Sequence, residues 1–232
     1  MNSRRILILD YSLDQIEAPA IKRWLPADVE VTALHITSAE SIPDNLLEKS
    51  FTHVIHSGSA LSITKSAPFT QKAVTAIRNF RDNGVAQFGI CYGHQLVCLA
   101  LVGEHAVRSS PNGLEAGWNS ITFVNGAADA LGIGTVETVW QHHFDEVTEL
   151  PEGSELWATN PHTGVQAYIN RQQYLFGTQF HPEFDKEAGD KIYLDDRELL
   201  QRSNYDVDEM VTKGPSIDTG KIFFGFFLQQ AP

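Results

Sequence analysis

A cysteine set between two glycines, Gly89-Ile90-Cys91-Tyr92-Gly93, and a much later His181-Pro182-Glu183 carry the chemistry this 232-residue chain could do. A thiol becomes a nucleophile when a base within hydrogen-bond reach takes its proton and a third group holds that base in the right tautomer. The apolar run before Gly89 reads as a short strand that ends in a tight turn and opens into a helix near Gly93. Such a turn lifts Cys91 above the strand end, and the helix N-terminus favours a thiolate or a neighbouring anion. His181 and Glu183 lie two apart after a second apolar strand, so in extended chain both project to one side. His181 is then the expected base and Glu183 its orienting carboxylate. A buried structural cysteine is the competing reading for Cys91, since free cysteine is among the most buried residue types.

Two segments so far apart need a scaffold to bring them together. Residues 5–9, 29–34, 52–55 and 85–90 read as strands. A helix opened by a Ser12/Gln15 capping-box pattern is expected to run through Trp24, with further helices over 43–49, 68–81 and 93–101. Strand and helix alternating at this rhythm predict a mostly parallel sheet with flanking helices, whose sites form beyond the C-terminal strand ends. The loops after Ile55 and Ile90 occupy that edge. From about Gly103 the pattern changes to short strands over 104–108, 120–124, 135–140, 155–158, 164–170 and 173–179. These predict a smaller antiparallel sheet in the second half. Helices over 190–201, 207–212 and 218–229 close the chain, the last carrying Phe223, Phe224, Phe226 and Phe227 into the core. With no repeat or linker, residues 1–232 are expected to form one domain.

Composition narrows the partners. The chain has 17 Lys+Arg against 29 Asp+Glu, a formal charge of −12, which opposes non-specific binding to nucleic acid or anionic membrane. No stretch approaches the ~20 apolar residues of a spanning helix. Cys91 and Cys98, seven apart on one helix, would be roughly 10 Å apart and cannot form a disulfide. A reducing compartment, and so the cytoplasm, is the simplest reading.

Gly-Ile-Cys-Tyr-Gly-His-Gln (89–95) followed by Gln-Phe-His-Pro-Glu (179–183) resembles the class I glutamine amidotransferase family, and the likeness extends over most of the chain. The resemblance implies a flavodoxin-like α/β domain with a Cys91-His181-Glu183 triad that releases ammonia from glutamine through a γ-glutamyl thioester, with no metal or organic cofactor. It also implies an oxyanion hole from the backbone N–H groups of Gly58 and Tyr92, and contacts from Gln95 to bound glutamine. Asp145, in the His143-Phe144-Asp145-Glu146-Val147 segment, would hold the α-ammonium. The loop reads Ser57-Gly58-Ser59 rather than the Gly-Gly-Pro of many synthetase-associated members. The 113–118 segment and the helical extension past Glu183 resemble stand-alone members. Two alternatives stay open: a γ-glutamyl peptide hydrolase with no ammonia acceptor, and an ammonia-delivering subunit that needs a separate synthetase. A redox-sensing role for Cys91 is disfavoured, because a sensor needs no oriented base.

Other residues invite blander readings. Cys98 is expected in the core, His94 as a hydrogen-bonded structural histidine, and Tyr92 and Trp118 as pocket wall or core. His53, His56, His142 and His143 fit no metal-ligand spacing and are expected to be satisfied by backbone. Asp195, Asp196 and the acidic residues of 206–209 read as solvated helix faces.

Overall fold

The first strand, β1 (Arg5–Asp10), is buried along nearly its whole length and pairs in parallel with β2 (Glu30–His35) on one side and β3 (His53–His56) on the other. The computed structural model that shows this describes residues 4–230, so the ends of the expected 1–232 unit lie outside the described residues. Next to β3 comes β4 (Ala86–Ile90), and next to β4, again parallel, comes a strand from far along the chain, β11 (Leu175–Thr178). The helices between are α1 (Glu17–Lys22), α2 (Thr70–Asp82) and α3 (Tyr92–Leu101).

The later strands are β5 (Val107–Ser109), β6 (Glu115–Phe123), β7 (Val136–His143), β8 (Asp145–Val147), β9 (Glu155–Thr159) and β10 (Ala167–Asn170). Four of them continue the main sheet, which runs β2-β1-β3-β4-β11-β10-β9-β6-β7 and turns antiparallel from β10 onward. The small antiparallel sheet is β5 with β8 alone. The remaining helices are α4 (Ala127–Leu131), α5 (Lys186–Asp195), α6 (Arg197–Arg202), α7 (Val207–Met210) and α8 (Thr219–Phe227).

Alternation along β1 explains why both faces must be covered. Leu7 and Leu9 join the cluster under α2 and α3, whereas Ile6 and Ile8 join the opposite one with Ile21 of α1 and Phe223, Phe224 and Phe227 of α8. The terminal phenylalanines thus dock into the core as expected. A third cluster, with Trp118, Trp140, Tyr193 and Leu200, packs α5–α7 on the antiparallel end. No helix among the described residues is long and apolar enough to cross a membrane.

Several boundaries differ from the sequence expectation for physical reasons. The Ser12/Gln15 pattern does not open a helix. The Asp10 carboxylate instead accepts from Ser12 N–H (2.9 Å), Ser12 Oγ (2.6 Å) and Ala18 N–H (3.0 Å), and holds residues 11–16 as a loop until α1 begins at Glu17. Residues 43–49 give only a 3₁₀ turn, Leu46–Lys49. Residues 104–106 form a 3₁₀ turn ahead of β5. The helix expected over 190–201 is two, broken at Asp196 and begun earlier because Asp185 caps Ala188 N–H at 2.9 Å.

Candidate active site

Four neighbouring parallel strands end at the same sheet edge, and each delivers one part of the site. β4 leads directly into Cys91, which has φ +48° and ψ −105° and stands as the residue before α3. A side chain in this region of backbone space is strained, and such strain collects at functional sites. Gly93 permits the sharp exit, since a Cβ there would overlap the His56 carbonyl oxygen. Cys91 N–H donates to Thr178 O at 2.8 Å, so the elbow is stitched to the end of β11. Three residues beyond Thr178 comes His181. Parallel pairing of β4 with β11 is what brings the thiol and the imidazole to one place. Both line a cleft of about 680 Å³.

His181 is firmly held. Its Nδ1 lies 2.5 Å from Glu183 Oε1. Its ring meets Trp140 edge-on at 4.9 Å and stacks on Phe184 at 5.4 Å. Behind it, the Glu183 carbonyl accepts from Arg23 Nη2 (2.7 Å) and Trp24 Nε1 (2.9 Å), and the Pro182 carbonyl accepts from Thr219 Oγ1 (3.1 Å). Burial lowers His181 to about 4, so its imidazole is neutral at rest; with Nδ1–H donating to Glu183, Nε2 is free to accept a proton. Burial likewise pushes the Cys91 thiol well up, ahead of the nearby Glu17 and Glu183 carboxylates, while the Tyr92 backbone N–H pulls it down. Desolvation therefore outweighs the helix N-terminus expected to favour the thiolate, and the resting pair is thiol and neutral imidazole.

β3 supplies Gly58. A Cβ there would sit 2.6 Å from His181 Cε1 and 2.7 Å from Glu17 Oε1. The loop cannot back away, because Ser57 Oγ accepts from Tyr11 N–H (2.8 Å) and donates to Gly58 O (2.8 Å), while Ser57 O accepts from Gly93 N–H (3.0 Å). Tyr92 N–H, at the head of α3, faces the Cys91 sulfur, and its ring is packed in the core between Tyr11 and Phe69. Gln95 lines the cleft, its Nε2 donating to Asp145 O (2.9 Å) and Gln179 Oε1 (3.0 Å). Asp145 also lines it, but its carboxylate already accepts from Ser62 Oγ (2.6 Å), Ile63 N–H (2.9 Å) and Ser109 Oγ (2.9 Å).

Other assignments sort as follows. Cys98 is fully buried in the core, and neither cysteine is bridged. Trp118 belongs to the third cluster, and the aromatic wall of the cleft is Trp140 with Phe184. His94 is structural but not hydrogen-bonded: both ring nitrogens are buried without a partner against Tyr168. His56 and His143 are satisfied chiefly by side chains. His56 meets Tyr11 OH (3.1 Å) and Gln87 Oε1 (3.0 Å), and His143 meets Glu115 Oε2 (3.1 Å) and one backbone carbonyl, Asp145 O (3.0 Å). Asp195 and Asp196 stand at the cleft mouth, Asp196 3.6 Å from His142 Nδ1. The head of α1, after the loop that follows β1, supplies the residue that sequence reasoning missed, Glu17, a buried carboxylate in the cleft wall. Its only signal was its place in the connection that leaves β1 at the site edge.

The buried histidines are expected to make the fold less stable in acid. Burial lowers His53, His56, His142 and His181 to about 4, and His94 to about 3, from a usual value of 6.5. Between those values the unfolded chain takes up protons that the native chain refuses, so stability falls as pH drops through that window. Burial raises Glu17 and Glu183, the latter to about 7, which acts in the opposite sense but with two groups against five. Each net proton taken up on unfolding lowers stability by about 1.4 kcal/mol per pH unit. Urea unfolding midpoints are expected to fall steadily from pH 6.5 to 4.5; a flat profile would contradict this.

A mixed sheet whose parallel half presents an elbow cysteine and an oriented histidine at its C-terminal edge defines an α/β protein with a cysteine–histidine cleft. The sequence matches the family described as Glutamine amidotransferase class-I over residues 7–199, and the chain belongs to that family. It is 34% identical over 172 residues to a subunit of the glutamine-hydrolyzing GMP synthase of Saccharolobus solfataricus, covering 74% of this chain and 85% of that one. With the glutamine-hydrolyzing GMP synthase of Clostridium novyi it is 37% identical over 102 residues, which cover 44% of this chain and 19% of that protein. Among solved structures, a glutamine amidotransferase from Thermotoga maritima superposes with a TM-score of 0.80 at 18% identity, covering 99% of this chain and 98% of the other.

Proposed function

We propose that this chain carries out its family's release of ammonia from glutamine at Cys91, with His181 as base and Glu183 as its orienting carboxylate. The observation that carries this reading is the delivery of Cys91 and His181, by adjacent parallel strands, to one cleft, with Glu183 buried behind the imidazole. As the sulfur attacks the γ-carbonyl carbon, its proton passes to His181 Nε2, and the imidazolium is stabilised against Glu183. The tetrahedral oxyanion is received by the backbone N–H groups of Gly58 and Tyr92. Collapse to the thioester expels ammonia, which leaves with the proton from His181. Water, deprotonated by the same imidazole, then attacks the thioester, releases glutamate and restores the thiol. Gln95 and Asp145, which line the same cleft, are the expected contacts to the bound glutamine.

Two features extend the reading. The relative from Saccharolobus solfataricus is named as one subunit of its synthase, and Leu13, Ile16 and Phe144 lie exposed at the cleft mouth, where a separate synthetase would cover them. A cleft of about 680 Å³ is in the range that holds drug-sized ligands, which favours as second reading a larger γ-glutamyl compound. The test compares ammonia release from glutamine with cleavage of γ-glutamyl dipeptides, and maps by mass the residue labelled by a glutamine-like electrophile. An adduct on Cys91 with glutamine turnover supports the first reading. Preference for dipeptides by orders of magnitude installs the second, and labelling elsewhere overturns both.

A further inference from the structure

Glu17 stands where no part of the thioester chemistry requires a residue. It is the first residue of α1, 4% exposed, with Oε1 3.8 Å from His181 Nδ1. One ligand atom from each of Glu17, His181 and Glu183 lies within 4.8 Å of the others. Glu183 commits Oε1 to His181, and both Glu183 Oε2 and Glu17 Oε2 are buried without a hydrogen-bond partner. The titratable groups facing Glu17 are His181 and Glu183 from beyond β11, Asp10 from β1, and Cys91 at the head of α3. Arg23, at the end of α1, spends its guanidinium on the Glu183 carbonyl (2.7 Å) and on Asp185 (3.0 Å). Two buried carboxylates therefore meet beside one neutral imidazole, with no cation on either carboxylate among the described residues. Like-charged carboxylates this close cannot both ionise, and one shared proton would satisfy both orphan oxygens. Burial, then the charge of Glu183, raises the Glu17 carboxyl well above the usual range. A metal ion fits poorly, because the 2.5 Å between His181 Nδ1 and Glu183 Oε1 is shorter than the roughly 3.4 Å separating two ligands on a tetrahedral zinc.

We propose that Glu17 is a positioning residue, a carboxylic acid that donates its proton to Glu183 and so fixes the carboxylate that holds His181. The pair then carries one negative charge, enough to stabilise an imidazolium and without a second charge opposing the Cys91 thiolate. The proposal rests on the functional reading above only for its rate predictions. Three measurements on the full chain test it: the infrared carbonyl band of a protonated carboxylic acid at neutral pH, alkylation of Cys91 by iodoacetamide, and kcat with KM. Glu17→Gln keeps a neutral donor, so it is expected to remove the infrared band yet lower kcat and alkylation only about twofold to fourfold. Glu17→Ala removes the donor and is expected to lower both about tenfold or more with little change in KM. A wild-type protein without the band, a Glu17→Gln variant as slow as Glu17→Ala, or a Glu17→Ala variant at wild-type rate would each overturn it. If Glu17→Ala fails to fold, the band and the Glu17→Gln rates still decide. Should wild-type protein release no ammonia while the alkylation pattern holds, the functional reading fails and this one stands.

Discussion

Replacing Cys91 with alanine is expected to lower ammonia release about 10⁴-fold or more while leaving the fold as stable as before. Cys98 offers no substitute thiol, because it is fully buried in the core and is not among the residues lining the cleft. Alanine also has a Cβ, so the strain of φ +48° is the same before and after, and the bond from the residue 91 N–H to Thr178 O is retained. What disappears is the sulfur, and with it the proposed covalent route; the Gly58 and Tyr92 backbone N–H groups and the cleft remain. Steady-state ammonia release, the mass of protein treated with a glutamine-like electrophile, and a thermal melt check the three parts. Activity above about a hundredth of wild type would remove Cys91 from its proposed role, whatever the melt showed.

Gly58→Ala is expected to cost about 10²- to 10³-fold in kcat with a smaller effect on KM. The argument is one of space, not dihedral freedom. The new methyl would lie 2.6 Å from His181 Cε1 and 2.7 Å from Glu17 Oε1, both on buried side chains. The loop is pinned through Ser57 to Tyr11 and Gly93, so the imidazole must move instead. Trp140 and Phe184 leave it little room, and a shift on the order of 1 Å in a reacting group is worth about 10²-fold. Gly164→Ala serves as the control, since a Cβ there meets nothing within 4 Å. Equal kcat for the two variants would show that the site tolerates the methyl, and the tight fit of Gly58 against His181 would lose its significance.

The chemistry-bearing turns were legible because they are local. A cysteine between glycines after an apolar run is a strand-turn-helix in a few residues, and Gly93 is required by one close approach, to the His56 carbonyl. His181 and Glu183 share a side because extended chain alternates, and a phenylalanine-rich terminal helix must bury itself wherever it lands. Composition and the strand–helix rhythm likewise carried the parallel half of the sheet.

Tertiary structure decided what depends on partners distant in sequence. Which strand lies beside β4 is not written in either strand, and it is β11, from the far side of the antiparallel segment, that carries the imidazole to the thiol. The antiparallel strands extend the main sheet because β10 pairs with β11, an adjacency that short-range patterning does not contain. Desolvation of Cys91 and His181 is a property of the closed core, and it reverses the thiolate preference read from the helix terminus alone. Glu17 shows the same limit most sharply. Its sequence neighbours carry a helix-start signal, yet the Asp10 carboxylate takes that signal's hydrogen bonds and turns Glu17 toward Glu183. A capping pattern ranks local options, and a buried carboxylate that must be satisfied chooses among them.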